Sequence, residues 1–167
     1  MSEQQPDQPH TRIVVASEGR PIDPAVVTRA VELAGGERAE VLVVTVARVW
    51  GTSLGFPNPW LLPSKREWDA QREIARKAVK ALEKSGLQAS AHVFGSRRPG
   101  RRIVAEATRF GATAIVMGAD PKRPVLGDLS WSQEPHRVAR RSKRIPVHLV
   151  QVAPAADAPA AGRRRRR

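Results

Sequence analysis

The sequence predicts an α/β fold, a single open five-stranded parallel sheet with helices on both faces. Short runs rich in β-branched residues alternate along the chain with longer amphipathic segments. Most of the short runs are apolar throughout, as expected for strands that are covered on both faces. The chain of 167 residues, 41% of them hydrophobic, has room for one domain with a sizeable core.

The first strand and helix have clear boundaries in the sequence. Arg12–Ser17 predicts a short buried strand. Asp23 and Pro24 predict the start of a helix, with the aspartate as the N-cap, and Gly35 predicts its end. The apolar run Val41–Val46 predicts the second strand.

An irregular, proline-rich segment separates the second strand from the next helix. It covers Arg48–Pro63. Ser64 and Glu67 then fit a capping box, which predicts a long amphipathic helix that ends near Lys84. Gln88–Phe94 predicts the third strand.

The last two strands alternate with helices in the same way. Pro99–Phe110 predicts a helix whose inward side chains are Ile103, Val104 and Ala107. Thr113–Met117 predicts the fourth strand, a helix follows over about 132–141, and Ile145–Val152 predicts the fifth strand. The predicted domain therefore spans residues 11–152.

Both ends of the chain are predicted to be disordered tails. Residues 1–10 are polar, and residues 153–167 are rich in Ala and Pro and end in five arginines. No run reaches the roughly 18 apolar residues of a membrane helix, and the N-terminus lacks the pattern of a secretory signal. Since the chain also has no cysteine, we expect a cytoplasmic protein without membrane insertion, disulfides or thiol chemistry.

The net charge of +13 is concentrated in clusters. One interpretation is a solvated face with a solubilising tail. The other is an anion-binding surface for nucleic acid, anionic lipid or polyphosphate, to which the terminal arginines add reach without sequence preference. The clusters are Arg97, Arg98, Arg101 and Arg102; Lys122 and Arg123; Arg137, Arg140, Arg141, Lys143 and Arg144; and Arg163–Arg167.

The segment after the fourth strand points to a nucleotide-binding architecture with an altered loop. Gly118 stands at the carboxyl end of this strand, where open α/β sheets bind ligands and where a glycine permits close backbone approach. The loop continues with two prolines and two cations, whereas a phosphate-cradling loop requires glycines.

Four stretches resemble one known family. They are Val14–Gly19 (VVASEG), Ala39–Val46 (AEVLVVTV), Phe110–Gly118 (FGATAIVMG) and Arg140–Val150 (RRSKRIPVHLV). Together with the order of elements, they make residues 11–152 similar to the universal stress protein family. The resemblance implies its Rossmann-like fold, also described as adenine-nucleotide alpha hydrolase-like, and a homodimer formed through the edge strand Pro146–Val150.

The resemblance also implies a set of nucleotide-binding residues. Glu18 matches the acidic residue at the end of the first strand, next to Ser17. Val46 matches the residue whose backbone meets the adenine. Gly118 matches the first glycine of the phosphate motif, followed by Ala119.

The rest of that phosphate motif departs from the family pattern. Pro121 and Trp131 stand where the motif has glycines, and proline has no N–H and a fixed φ. Lys122 and Arg123 supply charge in place of the lost backbone donors, and Ser132 supplies a hydroxyl at a predicted helix N-terminus. The ATP motif is therefore degenerate, and ATP is a cofactor by resemblance alone.

The functional expectation is a non-enzymatic universal-stress-type regulatory or binding module with weak nucleotide or anion binding. No Gly-x-Ser-x-Gly motif is present and the four histidines lack metal-ligand spacing, so neither catalytic nor metal residues are assigned. The alternative is a basic protein associated with nucleic acid or the ribosome that uses the fold as a scaffold. A slow ATP-hydrolysing protein is a third hypothesis, which the missing glycines disfavour.

Overall fold

All five strands of the structure lie parallel in one sheet, with the order β3-β2-β1-β4-β5. This computed structural model describes residues 11–35, 39–49, 62–119 and 134–152. The α/β prediction is confirmed, while both predicted tails and most of the irregular segment lie outside the described residues. The elements are β1 (Arg12–Ser17), α1 (Pro24–Ala34), β2 (Glu40–Arg48), α2 (Lys65–Lys84), β3 (Gln88–Ser96), α3 (Pro99–Phe110), β4 (Ala114–Ala119), α4 (Glu134–Arg141) and β5 (Val147–Gln151).

The helices form two layers, one on each face of the sheet. Successive side chains of a strand point to opposite faces, so Ile13 and Val15 of β1 pack in the core beneath α1 and α2. Val14 and Ala16 pack in the second core, beneath α3 and α4. Because both faces are covered, β1 has to be apolar throughout. Within the described ranges, no helix combines the length and apolarity needed to cross a bilayer.

The start of α1 is fixed by the predicted cap. A carboxylate oxygen of Asp23 accepts a hydrogen bond from the backbone N–H of Ala25 at 2.8 Å, and Pro24 occupies the first turn. At the other end, Gly35 has a φ of 61°, a left-handed conformation that glycine adopts without strain. The cap matters for the site because it sets where the loop from β1 enters the helix.

Loss of this cap should destabilise the protein modestly. We expect Asp23→Ala to lower the free energy of unfolding by about 1 kcal/mol, because one N–H of the first turn loses its acceptor. Urea denaturation measures the change. Asp23→Asn keeps a side-chain acceptor and serves as the control, so equal destabilisation by both variants would contradict a capping role.

Three strands continue beyond their predicted ends. Pairing between β2 and β3 continues to Arg48 and Ser96, two residues beyond each predicted end. Likewise β4 continues past Met117, because Gly118 and Ala119 pair with β5. These strands are longer than predicted because their last residues pair with a neighbouring strand. The sequence of one strand does not show where its neighbour ends.

Candidate functional site

A pocket opens where the strand order changes direction. The chain passes from β1 to β2 on one side, whereas β4 pairs with β1 on the other side. Ligands of open α/β sheets bind beyond the carboxyl ends of the strands at such a switch point. Here the pocket has a volume of about 310 Å³, and its lining includes Ser17, Glu18, Met117 and Gly118. The structure thus brings three sequence-predicted residues to one cavity.

The loop after β1 is folded by its own side chains. The hydroxyl of Ser17 accepts a hydrogen bond from the backbone N–H of Arg20 at 3.2 Å and donates one to the Arg20 carbonyl. Gly19 has a φ of 107°, a conformation that favours glycine. These features hold Glu18 at the pocket, where its side chain is only 4% exposed. A carboxylate in this position is an acceptor for hydroxyl or amino groups of a ligand.

Gly118 of β4 also lines the pocket. A Cβ atom added to it would lie 3.4 Å from methyl groups of Val152 and Val26. Because its φ is not in the left-handed region, the glycine serves to leave space and not to permit a turn. Ala119, the next residue, is buried, and its carbonyl accepts a hydrogen bond from the N–H of Val152 at 3.0 Å.

Val46 lies on the other side of β1 from this pocket. Its side chain is fully buried, and its carbonyl oxygen lies 3.7 Å from the position of a Cβ on Gly19. Gln71 of α2 reaches the same place, where its Nε2 donates to the carbonyl of Gly19 at 3.4 Å. Its Oε1 is buried and has no hydrogen-bond partner within the part of the chain that the structure describes. An unsatisfied acceptor here is suited to an amino group of a ligand.

Gln71 was not predicted from the sequence. It lies on the buried stripe of α2 with Ala75, Ala78 and Leu82. A polar side chain at the inward helical spacing was the available signal, since buried polar groups usually have a specific partner. Thr45, also buried, donates to the Gln71 backbone carbonyl at 3.3 Å and joins α2 to β2 at this point.

Five residues of the predicted phosphate motif follow β4 and lie outside the described residues. They are Lys122, Arg123, Ser132, Pro121 and Trp131. Their assignment as anion-binding residues stays a prediction.

Comparisons with known proteins identify the architecture. A family model described as the universal stress protein family matches residues 9–161. A universal stress protein from Archaeoglobus fulgidus is 22% identical with a TM-score of 0.64, covering 85% of this chain and 94% of that one. The universal stress protein from Archaeoglobus fulgidus in complex with dAMP is 20% identical with a TM-score of 0.62, covering 85% and 98%. A universal stress protein in complex with cAMP is 21% identical with a TM-score of 0.54, covering 85% and 97%.

Curated protein sequences contain no match to this chain. At the identities above, the solved structures show the fold, and they agree with the sheet and the two helix layers described here. The family model adds membership, because it covers nearly the entire chain, including every described element. The chain belongs to the universal stress protein family.

Proposed function

We propose that the protein is a non-enzymatic regulatory module of the stress response that binds an adenine nucleotide in the pocket between β1 and β4. The pocket at the switch point, lined by Glu18 and Gly118, is the observation that carries this proposal. It is further supported by relatives of the same fold, since two of them form complexes with dAMP and cAMP.

The pocket favours a small nucleotide. Its volume of about 310 Å³ lies at the lower end of the roughly 300–1,000 Å³ found for ligand sites. Glu18 would accept hydrogen bonds from hydroxyl groups of the ligand, and Gly118 would allow the ligand to approach β4. Lys122 and Arg123 would offset the charge of the phosphate. A nucleoside monophosphate therefore fits the available residues better than ATP, which brings two further phosphates and Mg²⁺.

We infer the lack of catalysis from the altered phosphate motif after β4. Phosphoryl transfer depends on donors that are preorganised around the transferred group. Pro121 replaces a glycine of the phosphate motif and carries no N–H. We therefore assign binding, and not hydrolysis, to this site.

A homodimer is part of the proposal. β5 is an edge strand of the described sheet, and its side chains Val147, Leu149 and Val150 are partly exposed. An apolar edge strand presents unpaired backbone groups that a second copy can pair with. Native mass spectrometry of the freshly purified protein reports both the dimer and any nucleotide that it retains.

Ligand-dependent stabilisation tests the nucleotide site. At a concentration about tenfold above its Kd, AMP should stabilise the folded state by about 1.4 kcal/mol and raise the Tm by about 3–6 °C. Gly118→Ala should weaken AMP binding about tenfold, because the new methyl group enters the pocket lining, while the Tm without ligand changes by only a few degrees.

Ser90→Ala is the control, since Ser90 is an exposed residue of β3 and does not line the pocket. Its AMP affinity should equal that of the original protein. The proposal fails if neither AMP nor ATP at millimolar concentration shifts the Tm and no nucleotide is retained. It also fails if the two variants bind AMP equally well.

A further inference from the structure

Charge is distributed unequally between the two helix layers. Residues 24–34 and 65–84, which form α1 and α2, contain eight cationic and five acidic side chains. The helices α3 and α4 contain six cationic and two acidic side chains, and the flanking residues 97–98 and 142–144 add four more cations. The α1–α2 layer also pairs its charges, with ion pairs from Arg29 to Glu32, from Arg72 to Asp69 and from Arg76 to Glu73. The positive potential of the described domain is therefore concentrated on the α3–α4 face.

The strongest part of that face is the start of α3. Arg97, Arg98 and Arg101 are exposed, and their side chains form no ion pair with any residue in the described ranges. The first turn of α3 contains no acidic residue, and Arg98 at the N-cap position makes no side-chain cap. Cations at a helix N-terminus face the positive end of the helix dipole and are unfavourable for stability. Helix stability therefore does not account for this cluster.

We propose that these arginines form part of a surface that binds the phosphate backbone of nucleic acid, without sequence preference. This arginine surface consists of Arg97, Arg98, Arg101, Arg102, Arg109, Arg140, Arg141, Lys143 and Arg144, all of them exposed. It is separate from the β1–β4 pocket, so the inference goes beyond the proposed nucleotide site.

Both ends of the layer contribute to the surface. α3 has 12 residues and so is about 18 Å long, with the first arginines near its start and Arg109 in its last turn. Arg140, Arg141, Lys143 and Arg144 follow at the end of α4, which packs on the same core as α3. A duplex carries one phosphate charge per about 1.7 Å of axis, so a surface of this length spans several phosphates.

Glu106 holds two of these arginines in place. Its carboxylate is 3% exposed and accepts hydrogen bonds from Arg102 at 3.0 Å and Arg109 at 2.7 Å. The exposed face of α3 between those arginines carries only Ala105 and Thr108. Small side chains between fixed cations allow a phosphate backbone to approach the helix closely.

The same face is poorly suited to a membrane. A helix that lies on a bilayer needs an exposed apolar face, but the apolar residues Ile103 and Ala107 of α3 are buried against the sheet. Leu62, which precedes α2, is the exposed large hydrophobic residue among those described. Eight of the nine cations of the surface are arginines, and arginine binds phosphate through a planar, bidentate donor pair. A nucleic-acid backbone matches this chemistry.

Fluorescence anisotropy with the full chain and a labelled double-stranded RNA of mixed sequence tests the proposal. The test variant carries Arg97→Gln, Arg98→Gln and Arg101→Gln. The matched control carries Arg66→Gln, Lys80→Gln and Lys84→Gln, which remove the same charge from exposed positions of α2. We expect the test variant to bind at least about tenfold more weakly and its salt slope, log K against log salt, to fall by about three. The control should bind within about twofold of the original protein.

Four outcomes would overturn the inference. The first three are no salt-dependent RNA binding, equal loss in both variants, and binding that disappears only when Arg163–Arg167 are deleted. Equal loss would assign the effect to bulk charge, and the deletion result would assign it to the tail. Tighter binding to vesicles of anionic lipid than to RNA, with the same sensitivity to the three arginines, would assign the surface to membranes instead. Circular dichroism of each variant verifies that it is folded.

Discussion

Replacement of Glu106 by alanine should lower the free energy of unfolding by about 2–3 kcal/mol and the Tm by about 5–10 °C. The Glu106 carboxylate is nearly fully buried and interacts with Arg102, Arg109 and His92, the last through Nδ1 at 3.2 Å. Its removal deletes three charge-assisted contacts and leaves unfilled space beneath α3. The released cations are partly exposed and can be hydrated, which limits the loss.

Glu73→Ala is the matched control, because Glu73 also interacts with two cations but its side chain is 45% exposed. It contacts Arg76 at 2.8 Å and Lys77 at 3.7 Å. The hydrogen bonds from Arg76 hold the pKa of Glu73 below its usual value. With a lowered pKa, the ionised carboxylate stabilises the folded state at pH values above the pKa of the unfolded chain. This stabilisation is lost as the pH falls through the pKa of the folded state. Solvent screens this pair and keeps its stabilisation small, so Glu73→Ala should lower the Tm by no more than about 2 °C at neutral pH.

A similar Tm for both glutamate variants would contradict the role of burial. Thermal unfolding followed by circular dichroism, at one protein concentration and neutral pH, makes the comparison. If Glu106→Ala unfolds like the original protein, the contacts of its carboxylate do not contribute to the stability of α3.

The sequence predicted the type and order of every element but not their neighbours in space. The alternation of strands and helices requires parallel strands with crossovers, because each helix returns the chain to the same edge. Nothing local in β1 indicates that β4 pairs with it on one side and β2 on the other. The strand pattern placed Gly118 at the ligand-binding edge and the family resemblance added Glu18, but the pocket that joins them between β1 and β4 is visible only in the structure.

Glu106 shows a limit of periodicity. The apolar pattern of α3 predicted Ile103, Val104 and Ala107 as the inward side chains, and all three pack in the core beneath α3. Glu106 is buried as well, although a charged side chain is not expected at an inward position. Its contact with His92 of β3 at 3.2 Å joins residues whose proximity depends on the tertiary fold.

Some residues of the nucleotide site could be predicted from the sequence, whereas Gln71 could not. Ser17, Glu18 and Gly118 were assigned because they lie directly at strand ends, where the family motif has fixed spacing, and all three line the pocket. Gln71 was missed because it comes from α2, far from any motif. Its significance depends on the unsatisfied Oε1, which is a property of the packed structure.

Gly19→Ala should lower the free energy of unfolding by about 2–3 kcal/mol, whereas Gly86→Ala should lower it by about 1 kcal/mol. Both glycines have positive φ, 107° at Gly19 and 83° at Gly86. A Cβ on Gly86 would meet open space, so that variant measures backbone strain alone. A Cβ on Gly19 would lie 3.5 Å from Nε2 of Gln71, which is an ordinary contact, so the larger loss at Gly19 comes from its φ, which lies further from the left-handed region that other residues reach. Urea denaturation of both variants compares the two positions, and equal destabilisation would show that the larger φ of Gly19 adds no strain to the loop that holds Glu18.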